Sequence, residues 1–295
     1  MPKYYVTVNP YGGGKKGLQI LEKVLPVFEN AQIGITVLET KYAGHARELA
    51  RNTNMDGYNG FCCIGGDGTF HEIINGMMKR EDKLRFPLGL ITGGTGNSFM
   101  HDLDCLDPVE AVKRIIEGKK RSIDILKCVA NDVNLYAFNI VGWGIPTDAN
   151  NLAEKIRWIG NQRYNISSII EVLRNKKRFA RVEIDGNVIE ADFAFIIACN
   201  TIHIGKGMKM APLAKLDDGL VDLIIARKAG RLKLLKLFPK VFSGKHIGDP
   251  AVDYRQVSRF TIKPEGQNRL NIDGEIVGQT PVRVEVLKKE IDVLV

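Results

Sequence analysis

The chain has 295 residues, 44% of them hydrophobic, with 42 basic against 34 acidic side chains and a formal charge of +8. That is long enough for one large domain or two ordinary ones and apolar enough for real cores, which excludes a disordered chain. No run approaches the roughly 18 apolar residues of a membrane helix, and no zinc-finger spacing or aromatic-interleaved basic run points to nucleic acid. The mild basic excess fits an anionic substrate or an anionic membrane surface.

The chain enters a strand at Tyr4 to Val8 without a leader-like segment. Leu18, Leu21, Leu25 and Phe28 follow at helical spacing, Ile33 to Leu38 is a second strand and His45 to Asn52 a short helix. Phe61 to Ile64 is a third strand. Phe70, Ile73, Ile74, Met77 and Met78 then line one helical face. Leu88 to Ile91 is a fourth strand and Pro108 to Glu117 a helix stopped by Gly118. Repeated βα units predict a parallel, helix-covered sheet.

Near residue 122 the texture changes to successive strands: Asp124 to Val129, Val133 to Ile140, Ala180 to Ile184, Val188 to Cys199, Leu220 to Ala226, Phe260 to Lys263, Arg269 to Asp273 and Val282 to Leu287. Asn131-Asp132, Asp185-Gly186 and Asp273-Gly274 are hairpin-type turn signals. The expected architecture is an open parallel-sheet α/β domain over 1–125 and an antiparallel β-sandwich over 126–295. Helical insertions fall near 150–175 and 231–242, and the last strand is a candidate to return to the first domain. Cys62, Cys63, Cys105, Cys128 and Cys199 form no C-x-x-C pair, the pattern of buried, reduced thiols in a cytosolic protein.

Three glycine-rich loops follow three of the first four strands: Asn9 to Gly17, Gly65 to Thr69, and Thr92 to Ser98. Glycines let backbone N–H groups approach a phosphate, and a helix start behind the loop adds partial positive charge. Thr69 and Glu72 also match a capping box, which by itself accounts for both. Asp67 is an acid where phosphate is expected, so it either holds a metal or accepts a proton. A Walker loop fails, because Gly14-Lys15 is followed by Lys16. A dinucleotide fingerprint at Gly12, Gly14 and Gly17 leaves Asp67 and the other two loops unexplained.

Asn9-Pro10 with its glycines and lysines, then Gly-Gly-Asp-Gly-Thr at 65–69, then Gly-Gly-Thr-Gly-Asn at 93–97 together resemble the diacylglycerol kinase catalytic domain, a family that includes bacterial lipid kinases, sphingosine kinases and ceramide kinases. The resemblance implies a phosphofructokinase- or NAD-kinase-like first domain and transfer of the γ-phosphoryl of ATP to a lipid hydroxyl, with Mg²⁺. It implies ATP contacts from Asn9, Pro10, Gly12, Gly13, Thr40, Gly65, Gly66, Gly68, Thr69, Glu72, Gly94, Thr95 and Asn97. Arg157 and Arg163, six apart, match arginines that reach the ATP phosphates in ceramide and sphingosine kinases; the plain alternative is a solvated basic face. The D-G-x-x-D segment at 218–222 implies a metal site from Asp218 with the carbonyls of Lys215 and Leu220. The proton acceptor is Asp67, favoured here, or the D-G-E segment, Asp273 or Glu275, with Glu275 otherwise on magnesium. Ser98 replaces an Asp common in bacterial members, and Asn150, with Asp148 nearby, replaces an Asp that takes the lipid amine in sphingosine kinases.

The segment Arg231 to Lys240 alternates basic and apolar residues, suited either to resting on an anionic bilayer or to packing in a core. The implied partner is a lipid at a membrane surface, met by a cytoplasmic, peripheral, non-spanning protein. Dimerisation stays open. A soluble-substrate kinase of NAD kinase type and a non-catalytic lipid- or nucleotide-binding regulator are the competing functions.

Overall fold

The computed structural model describes residues 1–131, 133–205, 207–227 and 229–295, without the side chains of Arg157 and Asn161. The chain forms two compact units: Met1–Ile125 with Gly205–Gly207 and Lys288–Val295, and Leu126–Ile204 with Met208–Leu287.

The first unit alternates strand and helix: β1 (Lys3–Val8), α1 (Gly17–Asn30), β2 (Gly34–Glu39), α2 (His45–Asn52), β3 (Gly60–Gly65), α3 (Asp67–Met78), β4 (Leu88–Thr92), α4 (Ser98–Asp102) and α5 (Pro108–Glu117). The strands run parallel in the order β2-β1-β3-β4. β3 is buried along its whole length, as its run Phe61-Cys62-Cys63-Ile64 requires of a central strand covered on both faces. Helix α5 has the expected ends: Asp107 accepts from the N–H of Val109 and Glu110, Pro108 stands at the first turn, and Gly118 closes the helix at φ 69°. Successive crossovers leave β1 in opposite directions along the sheet. The crevice beyond the carboxyl ends of β1 and β3 is therefore the topological switch point where such sheets bind ligands.

The second unit is antiparallel. Its elements are β5 (Lys120–Ala130), which starts in the first unit, β6 (Val133–Ala137), β7 (Ile140–Gly144), α6 (Ile145–Lys155), α7 (Arg163–Arg174), β8 (Arg178–Ile184), β9 (Asn187–Cys199), β10 (His203–Ile204), β11 (Met208–Lys209), β12 (Val221–Arg227), α8 (Arg231–Val241), β13 (Val252–Val257), β14 (Arg259–Pro264), β15 (Arg269–Ile272), β16 (Glu275–Gln279) and β17 (Val282–Leu294). Strand order is β16-β15-β7-β9-β8-β14-β17, with β12 on β9 and β13 on β12. Trp143, Phe193, Phe260, Leu223 and Val284 are among its fully buried core residues. The end of β17 pairs with β4 in the parallel sense at Val293 and Leu88, within the first unit.

Both Asp-Gly turns occur as the sequence predicts: Asp185 and Gly186 join β8 to β9 at φ 45° and 89°, and Asp273 and Gly274 join β15 to β16 at φ 52° and 94°. Asp132 lies outside the described residues. The predicted single strand over Val133 to Ile140 is two, β6 and β7. The N–H groups of Phe138, Asn139 and Ile140 turn instead onto the buried carboxylate of Asp273 at 3.1, 2.9 and 2.9 Å.

All five cysteines are reduced and buried. Burial pushes the Cys62 thiol up to about 12 and those of Cys63 and Cys128 well above the ordinary thiol range, so none is a nucleophile at neutral pH.

Candidate functional site

The three glycine loops come together at the carboxyl ends of β1, β3 and β4. In the first, the Asn9 side-chain oxygen accepts from the N–H of Tyr11 at 3.0 Å and of Gly12 at 2.9 Å, folding the chain back on itself. The Asn9 amide also donates to Thr69 Oγ1 at 3.3 Å, tying the first loop to the second. The second and third loops are joined by the Gly93 N–H on the Gly65 carbonyl at 2.8 Å. A Cβ on Gly94 would stand 2.4 Å from Gly66 Cα, and one on Gly13, at φ +55°, would stand 1.6 Å from the Gly93 carbonyl oxygen. Gly13, Gly66 and Gly94 are therefore set by backbone-on-backbone approach: no other residue fits between the loops.

Helix α3 starts at Asp67, three residues earlier than a cap at Thr69 would have it, with Gly66 as its N-cap and no capping side chain. The capping box is thus corrected. Thr69 lies inside the first turn, and Glu72 accepts from the Gly44 N–H at 2.9 Å, holding the loop before α2. An uncapped helix start presents N–H groups and partial positive charge at the switch point, the standard device for binding an anion.

Asp67 faces the third loop. Its carboxylate accepts from the N–H of Ser98 at 2.8 Å and of Phe99 at 3.4 Å, the first residues of α4. The same acid therefore sits in the first turn of α3 and caps α4. This pairing is not legible in the sequence, since α4 is a five-residue helix without apolar periodicity. The residue pair Asn97-Ser98 was its one available start signal. Asn97 adopts φ 50°, and its side chain grips Gly94 at both N–H (3.1 Å) and carbonyl (2.9 Å), so it shapes the loop. Thr95 is exposed on that loop, Pro10 and Gly68 are half-buried, and Thr40 is buried just after β2, its N–H on the Val8 carbonyl at 2.9 Å.

The other predicted site residues lie in the second unit. Asp218 accepts from the Leu220 N–H at 3.0 Å, which closes the loop carrying the Lys215 and Leu220 carbonyls. Among the described residues, no cluster of three or more His, Cys, Asp or Glu forms a ready metal cage. Burial, with Asp218 adding repulsion, raises the pKa of Asp222, against hydrogen bonds from Tyr254 and Gln256. Glu275 is exposed at the start of β16. Arg163 pairs with Glu154 at 3.5 Å and stacks on Tyr164 at 4.7 Å, while the side chain of Arg157 lies outside the described set. Asp148 is held by Arg178 at 2.7 and 3.0 Å, and the Asn150 amide donates to the Gly274 carbonyl.

Asp273 is 5% exposed, and its carboxylate serves three backbone donors. Asp273→Ala is expected to cost roughly 2–5 kcal/mol in stability, because three buried N–H groups lose their acceptor. Asp273→Asn, which keeps one acceptor oxygen, should recover part of that in urea denaturation. Equal losses for both would show that the charge, and not the acceptor geometry, holds the turn.

Residues 3–128 match the diacylglycerol kinase catalytic domain, and residues 139–295 match the YegS C-terminal NAD kinase beta sandwich-like domain. The chain belongs to the diacylglycerol kinase family. It is 30% identical over 291 residues to diacylglycerol kinase of Staphylococcus carnosus, covering 98% of this chain and 93% of that one. It is 27% identical over 335 residues to sphingosine kinase 1 of Arabidopsis thaliana, covering 94% and 69%. A crystal structure of a putative diacylglycerol kinase from Bacillus anthracis superposes with a TM-score of 0.83 at 25% identity over 99% of this chain and 96% of that one. This member of the diacylglycerol kinase family is therefore a kinase, and its three glycine loops lie within the catalytic-domain match.

Proposed function

We propose that the chain moves the γ-phosphoryl group of ATP onto the hydroxyl of a neutral, diacylglycerol-like lipid. The observation that carries this is the convergence of three glycine loops on an uncapped helix start with Asp67 among them. Phosphoryl transfer asks mainly for alignment and charge neutralisation. The N–H groups of the α3 start and the loop backbones suit the triphosphate, with Asn9, Thr69 and Asn97 fixing loop shape and Thr40 and Thr95 adding hydroxyls beside it. Asp67, placed among the loops, takes the proton of the lipid hydroxyl as transfer proceeds. Asp273 is the less accessible candidate because its carboxylate is buried against three backbone donors.

Mg²⁺ would supply charge neutralisation on the phosphates. The Asp218 loop fits a cation as one carboxylate with the carbonyls of Lys215 and Leu220, and Glu275, exposed at its strand start, is a second acidic candidate. Arg163 would have to exchange Glu154 for phosphate, and Arg157 keeps the role its match implies.

Two observations favour a neutral acceptor over a cationic sphingoid base. The carboxylate of Asp148 is neutralised by Arg178, and Asn150 stands where the resemblance places an amine-binding acid. No helix among the described residues is long and apolar enough to cross a membrane, so the lipid is collected at a surface. Trp158 at 84% and Leu232 at 75% exposure provide apolar contact points. Helix α8 buries Leu234, Leu237 and Val241, and Lys233 is tied to Asp249 at 2.7 Å, so this basic segment packs as part of the unit.

Transfer of label from γ-labelled ATP to diacylglycerol, sphingosine, ceramide, monoacylglycerol and phosphatidylglycerol in mixed micelles tests the proposal. Diacylglycerol is expected to be labelled best. Preferential labelling of sphingosine would overturn the neutral-acceptor reading, and label on no lipid would overturn the lipid-kinase reading itself.

A further inference from the structure

Two cavities of the second unit meet at Arg269. The smaller, of about 200 Å³, is lined by polar side chains, among them Thr147, Asp148, Asn151, Arg178, Asn268 and Arg269. The larger, of about 460 Å³, has an aliphatic wall of Ala130, Val133, Leu135 and Ile276, and again includes Arg269.

The charge left unmatched in the smaller cavity is positive, while Asn151 can donate or accept. Arg178 gives Nη2 to Asp148, while its Nη1 is buried with no partner among the described residues. That N–H is closed off from solvent, so Arg178 brings positive charge to the cavity rather than a free donor. Arg269 is exposed and makes no ion pair among the described residues. The Asn268 side-chain oxygen accepts from the Trp143 indole N–H at 3.1 Å, which leaves its amide NH₂ to donate. The Thr147 hydroxyl donates to the Gly142 carbonyl at 2.9 Å. Gly144, also on the cavity wall, is the N-cap of the eleven-residue helix α6, and no side chain caps that end. Two arginines against one carboxylate leave a net positive charge, so an anion completes the cluster and a cation does not. Arginine forks suit phosphate oxygens. The adjoining wall offers Val133, 53% exposed, to an aliphatic chain.

We infer that Arg178, Arg269 and Asn268 form a second binding site, taking the phosphate head of an anionic lipid whose chain lies along Val133, Leu135 and Ile276. Every residue of this site belongs to the second unit, and none is in the glycine-loop machinery. It goes beyond the transfer reaction by giving the chain a place for a phosphate-bearing lipid, and shares only the Arg178–Asp148 pair with the acceptor reading above.

Isothermal titration calorimetry of the full chain without nucleotide tests it. The probe is dihexanoyl phosphatidic acid below its micelle concentration, with inorganic phosphate and dihexanoyl phosphatidylcholine for comparison. The expected result is saturable binding of phosphatidic acid, weakened about tenfold in Arg269→Glu and about threefold in Ile276→Ser. Inorganic phosphate should bind more weakly and phosphatidylcholine most weakly. Arg269 is exposed, so its variant should keep the wild-type melting temperature and ATP affinity. Phosphatidic acid binding unchanged by Arg269→Glu places the lipid elsewhere and overturns the site. Inorganic phosphate binding as tightly as the lipid removes the chain from the interaction and overturns the lipid assignment. Binding by neither leaves a water-filled cleft and overturns both. Because the readout is binding, failure here leaves phosphoryl transfer standing, and the reverse.

Discussion

Asp67→Asn is expected to lower kcat about a thousandfold, roughly 4 kcal/mol of barrier, while ATP affinity changes by less than about threefold. The substitution is chosen for what it preserves. Asn keeps an oxygen that can still accept from the Ser98 N–H, so α4 stays capped and the third loop stays in place. What it removes is the ability to take a proton. Asp67→Ala removes both, and is expected to weaken ATP binding as well, because the loop that Asp67 anchors also packs against Gly66 and Gly13. Steady-state kinetics on the best lipid acceptor, with ATP affinity measured by direct titration, separate the two. If Asp67→Asn keeps more than about a tenth of kcat, Asp67 is a loop anchor and the base lies elsewhere.

Gly13→Ala is expected to weaken ATP binding about a hundredfold, roughly 2.7 kcal/mol, with Gly14→Ala close to wild type. The two glycines are neighbours and both have positive φ, 55° and 76°. They differ in what a methyl group meets. At Gly13 it falls 1.6 Å from the Gly93 carbonyl oxygen, a backbone atom that cannot turn aside, whereas at Gly14 nothing lies within 4 Å. Gly14→Ala therefore carries only the left-handed backbone cost of about 1 kcal/mol. Gly13→Ala must separate the first loop from the third. Titration with a fluorescent ATP analogue compares them. Equal losses at both positions would show that backbone freedom, not loop-to-loop approach, governs binding.

Much of this molecule follows from local sequence. The βα alternation, the α5 ends at Asp107 and Gly118, the Asp-Gly hairpins and the buried cysteines are all fixed by neighbours within a few residues, through hydrophobic period, cap chemistry and permitted φ. The glycine loops are legible for the same reason, since three of them after three parallel strands already imply a phosphate site. The missed elements have equally physical causes. Strands β13 and β16 carry polar residues such as Asp253, Arg255, Glu275 and Gln279, which mask alternation, and α4 is too short to show a period.

What only the tertiary structure decided is the second use of each polar group. Sequence marks Asp67 as unusual, but its hold on Ser98, 31 residues on, needs the two strand ends side by side. Thr69 and Glu72 fit a capping box, yet the helix starts at Asp67 because Gly66 must pass under Gly94, and Glu72 then finds Gly44. Asp273 looks like half of a hairpin turn and is one, but the three N–H groups that bury its charge come from residues more than 130 positions earlier. Local propensity is a short-range signal, whereas the partner of a carboxylate is whatever donor the folded chain brings within about 3 Å. The sequence by itself therefore determined the elements, the loops and the family, and the fold alone decided which backbone donors each acid meets.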